Sequence, residues 1–157
     1  MLNEYLKFAS SGVKEKTGIF DLSNLAENII DKYENLNISK DFKKRIYFNG
    51  RKNLIKRCIN NLIENSLKYG KKTNLTIEKK KTNILILVED DGPGIPKSEY
   101  ENIIKPFYKI DKSRSESKSS VGLGLAISSD IIKSHGGDIN FSKSNLGGLK
   151  VTISLPV

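Results

Sequence analysis

Two periods of apolar residues run through this 157-residue chain, and the switches between them predict its elements. Helical spacing appears first at Leu2, Tyr5, Leu6, Phe8 and Ala9, stopped by Ser10-Ser11-Gly12. Ile19 to Leu22 reads as a short edge strand. Asp21 or Ser23 can cap a helix running to about Asn35, with Leu25, Ile29, Ile30 and Tyr33 on one side. Arg45 to Phe48 alternates as a strand, and Asn49-Gly50 is a turn. A long helix follows from Arg51 or Lys52 to about Tyr69. Leu54, Ile55, Cys58, Ile59, Leu62, Ile63 and Leu67 spread over one broad face of it. Asn74–Lys80 and Asn83–Glu89 form a predicted hairpin, whose second arm holds the uninterrupted run Ile84-Leu85-Ile86-Leu87-Val88. Five aliphatics in a row predict a strand buried on both faces. Ser98 caps a short helix through Ile104. Lys109 to Ser120 has no period and reads as a loop long enough to be functional. Val121 opens a helix to about His135 with Leu123, Ile127 and Ile131 in register. Asp138–Ser142 and Lys150–Leu155 close the chain as a hairpin.

Three polar stretches interrupt this pattern. Asp90-Asp91-Gly92-Pro93-Gly94-Ile95 ends the aliphatic strand. Gly92 and Gly94 allow positive φ and close backbone approach, and Pro93 stiffens the turn between them. Asp90 is then an acceptor at the rim of a sheet, suited to an N–H such as a purine amine. An Asp-Gly pair after a strand is also an ordinary hairpin turn, so the stretch alone leaves both readings open. On the long helix, Arg57, Asn61, Asn65 and Lys68 fall within about 80° of one another. Carboxamide oxygens suit Mg²⁺ when phosphates complete its shell, and Lys68 can meet phosphate charge. Gly122-Leu123-Gly124-Leu125 opens the third helix, where free N–H groups and the dipole favour phosphate.

Composition narrows the classes. The net charge is +9, yet only four of the 27 basic residues are arginine (Arg45, Arg51, Arg57 and Arg114), and the lysines are scattered. That distribution argues against a nucleic-acid-binding α/β domain. The single cysteine, Cys58, lies in an apolar stripe, which excludes a disulfide framework and predicts a reducing compartment. No apolar run nears the ~20 residues of a membrane span, and no leader pattern follows Met1.

These pieces in this order resemble the catalytic ATP-binding domain of sensor histidine kinases, within the GHKL superfamily, over about residues 17–157. Asn61-Leu-Ile-Glu-Asn65-Ser-Leu-Lys68-Tyr69 is similar to the N box, and Asp90-Asp-Gly92-Pro-Gly94 to the first glycine box. Lys105-Pro106-Phe107-Tyr-Lys109 is similar to the F box, Gly122-Leu-Gly124-Leu125 to the second glycine box, and Gly147-Gly148 to the last. The detail is most similar to the EnvZ osmosensor type. Residues 1–16 resemble the end of a dimerisation helix and its linker.

The resemblance implies an α/β two-layer sandwich, the GHKL or Bergerat fold, with helices on one face of a mixed sheet and a flexible ATP lid at 108–120. It implies ATP with Mg²⁺. Asp90 would accept the adenine amine, with Gly92, Gly94, Ile95 and Tyr69 near the base. Asn61 and Asn65 would hold Mg²⁺. Lys68 and Lys109 would contact phosphate. Phe107, Gly122, Leu123, Gly124 and Leu125 would line the lid side. Two positions depart from the family pattern, Ser120 where a glycine is usual and Ile104 where a phenylalanine is. The water-activating Glu of the ATPase branch is replaced by Asn61, which cannot act as a base, so hydrolysis should be slow. Glu64 reads as surface. The only histidine, His135, sits at a helix end where the dipole favours its cation, and is not a phosphoacceptor. The expected protein is therefore the kinase part of a membrane receptor, on the cytoplasmic side. It would be monomeric alone and part of a homodimer in the parent, with no nucleic acid and no direct membrane contact. Its partners would be a histidine-bearing dimerisation domain and an OmpR-like response regulator. The alternative is a non-catalytic ATP-binding regulator of the same fold, like an anti-sigma factor.

Overall fold

The computed structural model describes Leu6 and residues 14–34, 36–108 and 123–157. Apart from Leu6, the helix expected over Leu2–Ala9 therefore lies outside the described residues, as does the lid beyond Tyr108. The elements are β1 (Gly18–Asp21), α1 (Leu22–Asp31), β2 (Asn37–Phe42), β3 (Tyr47–Gly50), α2 (Lys52–Tyr69), β4 (Lys72–Lys79), β5 (Asn83–Asp90), a single 3₁₀ turn (Lys97–Glu99), α3 (Gly124–Ser134), β6 (Asp138–Lys143) and β7 (Leu149–Pro156). Five strands form a mixed sheet in the order β2-β4-β5-β7-β6, with β2 parallel to β4 and the other pairs antiparallel. β1 and β3 make a separate two-stranded ribbon.

The helices cover one face of the sheet. Leu75 and Ile77 of β4, Ile84, Ile86 and Val88 of β5, and Val151, Ile153 and Leu155 of β7 point into a single core with α1, α2 and α3. Each fully buried Leu or Ile in it contributes roughly 1.5–3 kcal/mol. The other face is polar. There Leu85 lies between Glu78 and Ser154, and Leu87 between Thr76 and Thr152. β5 thus alternates buried and half-buried positions along its length. The expectation of burial on both faces is corrected: the aliphatic run reflects a central strand with a helical layer on one side only.

Other boundaries moved for local reasons. Asp21 caps α1 by accepting from Asn24 N–H at 3.1 Å. Ser23 is buried and instead ties the 43–46 loop, donating to Lys43 C=O at 2.7 Å and accepting from Ile46 N–H at 3.2 Å. α1 ends at Asp31, short of Asn35. β2 carries only Ile38 and Phe42 toward the core, too few apolar positions to announce a strand. Arg45 sits at φ 62° in the turn before β3, and Asn49-Gly50 pair with Ile19 and Gly18 instead of turning. Ser98 caps nothing; Pro96 leads into the 3₁₀ turn without a side-chain cap.

α2 and α3 run antiparallel, joined at three levels. Asn61 Nδ2 donates to Gly124 C=O at 3.4 Å, Cys58 Sγ to Ser128 C=O at 4.0 Å, and Arg51 Nη2 to Ser134 C=O at 3.2 Å. Burial pushes the Cys58 thiol up to about 12, so it is a core group, as expected. Arg51, at the amino end of α2, supplies no side-chain cap. Glu15 takes that place from outside the helix, accepting from Asn53 N–H at 2.7 Å and Leu54 N–H at 3.2 Å.

His135 closes the same end. Its Nε2 accepts from Arg51 N–H at 3.0 Å, which leaves Nδ1 to donate to Ile131 C=O at 2.8 Å. Both ring nitrogens are used by the neutral tautomer. Burial lowers the His135 pKa, and the Arg51 charge lowers it further, against the opposing pulls of Ile131 C=O and Glu15. The expected cation at this helix end is therefore corrected to a neutral ring.

This generates a pH dependence. The folded-state pKa lies below the unfolded value of about 6.5, so the unfolded chain takes up its proton first. His135 should cost stability as pH falls below about 6.5, levelling off below the folded pKa. Urea unfolding at pH 7.5 and 5.5 should show a larger loss for the wild type than for His135→Gln.

Candidate nucleotide-binding site

The site forms where β5, the central strand, ends. Asp90 is 5% exposed. Its Oδ1 accepts two backbone N–H bonds, from Gly92 at 2.9 Å and from Leu149 at 3.2 Å, and its own C=O accepts from Gly148 N–H at 3.0 Å. Oδ2 makes no hydrogen bond to a described residue. One oxygen is thus anchored and the other offered. Desolvation raises the Asp90 pKa, and the Gly92 and Leu149 donors and the Asp91 charge only modify that. A hydrogen bond to a charged group returns roughly 1.5–3 kcal/mol, less than full desolvation costs. A further donor on Oδ2 would favour the carboxylate.

Two glycines fit this turn for different reasons. Gly94 takes φ 72°, as the sequence allowed. Gly92 does not use positive φ. It is needed for space, since a Cβ there would lie 2.6 Å from Tyr69 C=O. Gly148 is tighter still, because its Cβ would meet Asp90 Oδ1 at 2.0 Å. Ile95 is half-buried and packs on the core beside the turn.

The carboxyl-terminal half of α2 faces this turn. Asn65 is half-buried and makes no hydrogen bond to a described residue. Asn61 donates through Nδ2 to Gly124, which leaves its Oδ1 able to accept. Both oxygens fit a hard cation whose remaining ligands are phosphate and water, and no group of three or more metal-binding side chains occurs among the described residues. Lys68 Nζ lies 5.3 Å from the Tyr69 ring centroid, at the rim of the site. Tyr69 is half-exposed beside it.

From the second glycine box, Gly124 meets Asn61, so the structure brings these two stretches together. Leu123 is buried in the core and Leu125 packs against it, so their side chains belong to the hydrophobic layer. Phe107 is half-exposed, with φ 64°. Tyr108 donates to Glu99. Lys109 and Gly122 lie outside the described residues. Glu64 is exposed and accepts weakly from Tyr33 at 3.5 Å, consistent with a surface role.

Sequence reading gave no role at the site to Leu149, Asp91, Ser66 or Thr73, and marked Gly148 only as part of a glycine box. Leu149 acts through its backbone, and Gly148 through its lack of a side chain. Asp91 bonds the backbone after α2. Ser66 and Thr73 form a buried hydroxyl pair, 2.7 Å apart, with Thr73 opposite Asp90 in the sheet. Only the Gly147-Gly148 pair left a visible signal.

A mixed sheet with helices on one face, and a buried Asp at the end of its central strand, define an α/β nucleotide-binding domain. A family model, histidine kinase-, DNA gyrase B-, and HSP90-like ATPase, matches residues 50–157. The chain belongs to that family. It is 38% identical over 102 residues to the sensor histidine kinase GtrS of Pseudomonas aeruginosa, covering 65% of this chain and 21% of that protein. It is 37% identical over 109 residues to the sensor histidine kinase CpxA of Escherichia coli K12, covering 69% of this chain and 24% of that protein. The chain thus spans at most about a quarter of these relatives. Two solved structures share the fold. The catalytic domain of histidine kinase ThkA has TM-score 0.79 at 24% identity, covering 90% of this chain and 95% of that one. The mycobacterial sensor histidine kinase MprB has TM-score 0.78 at 18% identity, covering 90% and 97%.

The packing at Gly148 gives a direct test. Gly148→Ala should drive Asp90 Oδ1 from its anchors, costing roughly 1–3 kcal/mol in stability. It should also weaken nucleotide binding at least about tenfold, a loss of some 1.4 kcal/mol. Thermal melts and calorimetry read the two effects.

Proposed function

We propose that this chain is the catalytic domain of a two-component sensor histidine kinase. It binds Mg²⁺-ATP and transfers the γ-phosphoryl group to a histidine on a separate dimerisation domain. The observation that carries the reading is Asp90, with one oxygen fixed by Gly92 and Leu149 and the other open at the rim of the site. In this reading Oδ2 accepts the adenine amine. Gly92 and Gly94 let the base approach, with Ile95 and Tyr69 beside it. Asn65 and Asn61 hold Mg²⁺ against the phosphates, and Lys68 neutralises phosphate charge. Phe107, Lys109, Gly122 and Gly124 belong to the lid side, and Leu123 and Leu125 support it from the hydrophobic layer. Phosphoryl transfer needs mainly positioning and charge neutralisation, which these groups supply.

The similarity to sensor kinases extends the reading to the whole protein. Residues 1–16 would be the end of a dimerisation helix and its linker. The parent would be a homodimeric membrane receptor with this domain in the cytoplasm, feeding an OmpR-like response regulator. No helix among the described residues is long and apolar enough to cross a membrane.

The test is transfer in trans. The chain is incubated with γ-labelled ATP, Mg²⁺ and a histidine-bearing helical dimerisation domain. Acid-labile label should appear on that domain with the wild type and be lost with Asn65→Ala. The variant should bind Mg²⁺-free ATP as the wild type does. Binding of ATP without transfer would make the chain a regulatory module. Equal affinity loss with and without Mg²⁺ would remove Asn65 from the metal.

A further inference from the structure

We infer that Asp91 is a positioning residue, which fixes the phosphate-contacting end of α2 against the base-contacting turn. Asp90 follows the adenine logic above, but its neighbour points elsewhere. Asp91 Oδ1 accepts Lys71 N–H at 2.7 Å and Lys72 N–H at 2.9 Å. Successive N–H groups converging on one point make an anion-binding concavity, and here a side chain of the chain itself fills it. The bonds are charge-assisted, and the Lys72 donor leads the causes that hold the Asp91 carboxyl below the usual carboxylate range.

The place of this joint gives it a consequence. α2 ends at Tyr69, and Gly70 N–H caps it by donating to Ser66 C=O at 2.9 Å. The last turn holds Lys68 and Tyr69, and helix ends fray unless tied. Asp91 ties the two residues just beyond that turn. The fit leaves little slack, because a Cβ on Gly70 would lie 2.9 Å from Asp91 Oδ1 and 3.1 Å from Asp90 Cβ. Tyr69 C=O in turn lies against Gly92. The end of α2 and the Asp90 turn are therefore one unit, closed on one side by close packing and on the other by Asp91. Asp91 sets the spacing between the base acceptor on β5 and the last turn of α2.

The inference rests on the ATP-site reading, and its test separates the two. Affinities for ATP with Mg²⁺ and for adenosine are measured by NMR titration in the wild type, Asp91→Ala and Asp91→Asn. Adenosine engages only the base end, and ATP both ends. Asp91→Ala should cut the ATP-over-adenosine ratio roughly 3- to 10-fold, the size expected for one or two lost hydrogen bonds, with a smaller loss for adenosine through Tyr69. Asp91→Asn keeps an acceptor oxygen and should restore most of the ratio. Equal weakening of both ligands in Asp91→Ala would overturn the inference, leaving Asp91 with general support of the fold. Failure of Asp91→Asn to rescue would also overturn it. If Asp91→Ala does not fold, amide exchange in the wild type decides. Lys71 and Lys72 amides should be protected, and their shifts should titrate together below the usual carboxylate range; unprotected amides would contradict the joint. A wild type that binds ATP no better than adenosine would overturn the ATP-site reading itself, and this inference with it.

Discussion

Two backbone N–H groups, from Gly92 and Leu149, hold one oxygen of the Asp90 carboxylate, and the arrangement around the site follows from that grip. A buried carboxylate is costly unless its lone pairs are met. Here two donors meet those of one oxygen, one from the turn after β5 and one from the start of β7. The strand order places those donors where they are. β7 neighbours β5, so the Gly147-Gly148 turn arrives beside Asp90, and only a glycine at 148 leaves room for the carboxylate. With Oδ1 committed, Oδ2 has a fixed direction, which makes it a specific acceptor and not just a charge.

The second constraint is the pairing of α2 with α3. Hydrogen bonds at Asn61, Cys58 and Arg51 set the register of the pair along its length. One end of the pair carries the polar residues of the site. The far end is fastened by Glu15, Arg51 and a neutral His135. The helix that offers Asn61, Asn65 and Lys68 is therefore held at both ends, by Glu15 at its start and by the Asp91 turn at its finish.

The sequence made the long, periodic elements legible. α2 is legible to within a residue because eighteen residues give a stable period, β5 because five aliphatics run together, and β6 and β7 because they alternate. β2 was not legible, since two half-buried side chains give no period. Asn49-Gly50 misled, because Gly50 lies within a strand where a Cβ would meet Phe48 and His135. At the site, Asp90, Asn61 and Asn65 stood out as polar residues set against apolar patterns. What could not be read were contacts closed through space. The Leu149 donor lies 59 residues from Asp90. The sequence gives no role to Asp91, because its donors, the Lys71 and Lys72 amides, lie 20 and 19 residues away. His135 looked like a dipole-stabilised cation until Arg51 N–H supplied a donor that only a neutral ring can accept.

The central claim is that Asp90 selects the base through one free oxygen. Calorimetric titration with ATP and with GTP, each with Mg²⁺, against the wild type and Asp90→Asn tests it most directly. Asn at 90 keeps the size of the side chain and exchanges an acceptor for a donor. ATP should bind the wild type and GTP should not, and Asp90→Asn should lose roughly 1–3 kcal/mol or more of ATP binding. Equal ATP affinity in the wild type and Asp90→Asn would contradict the account.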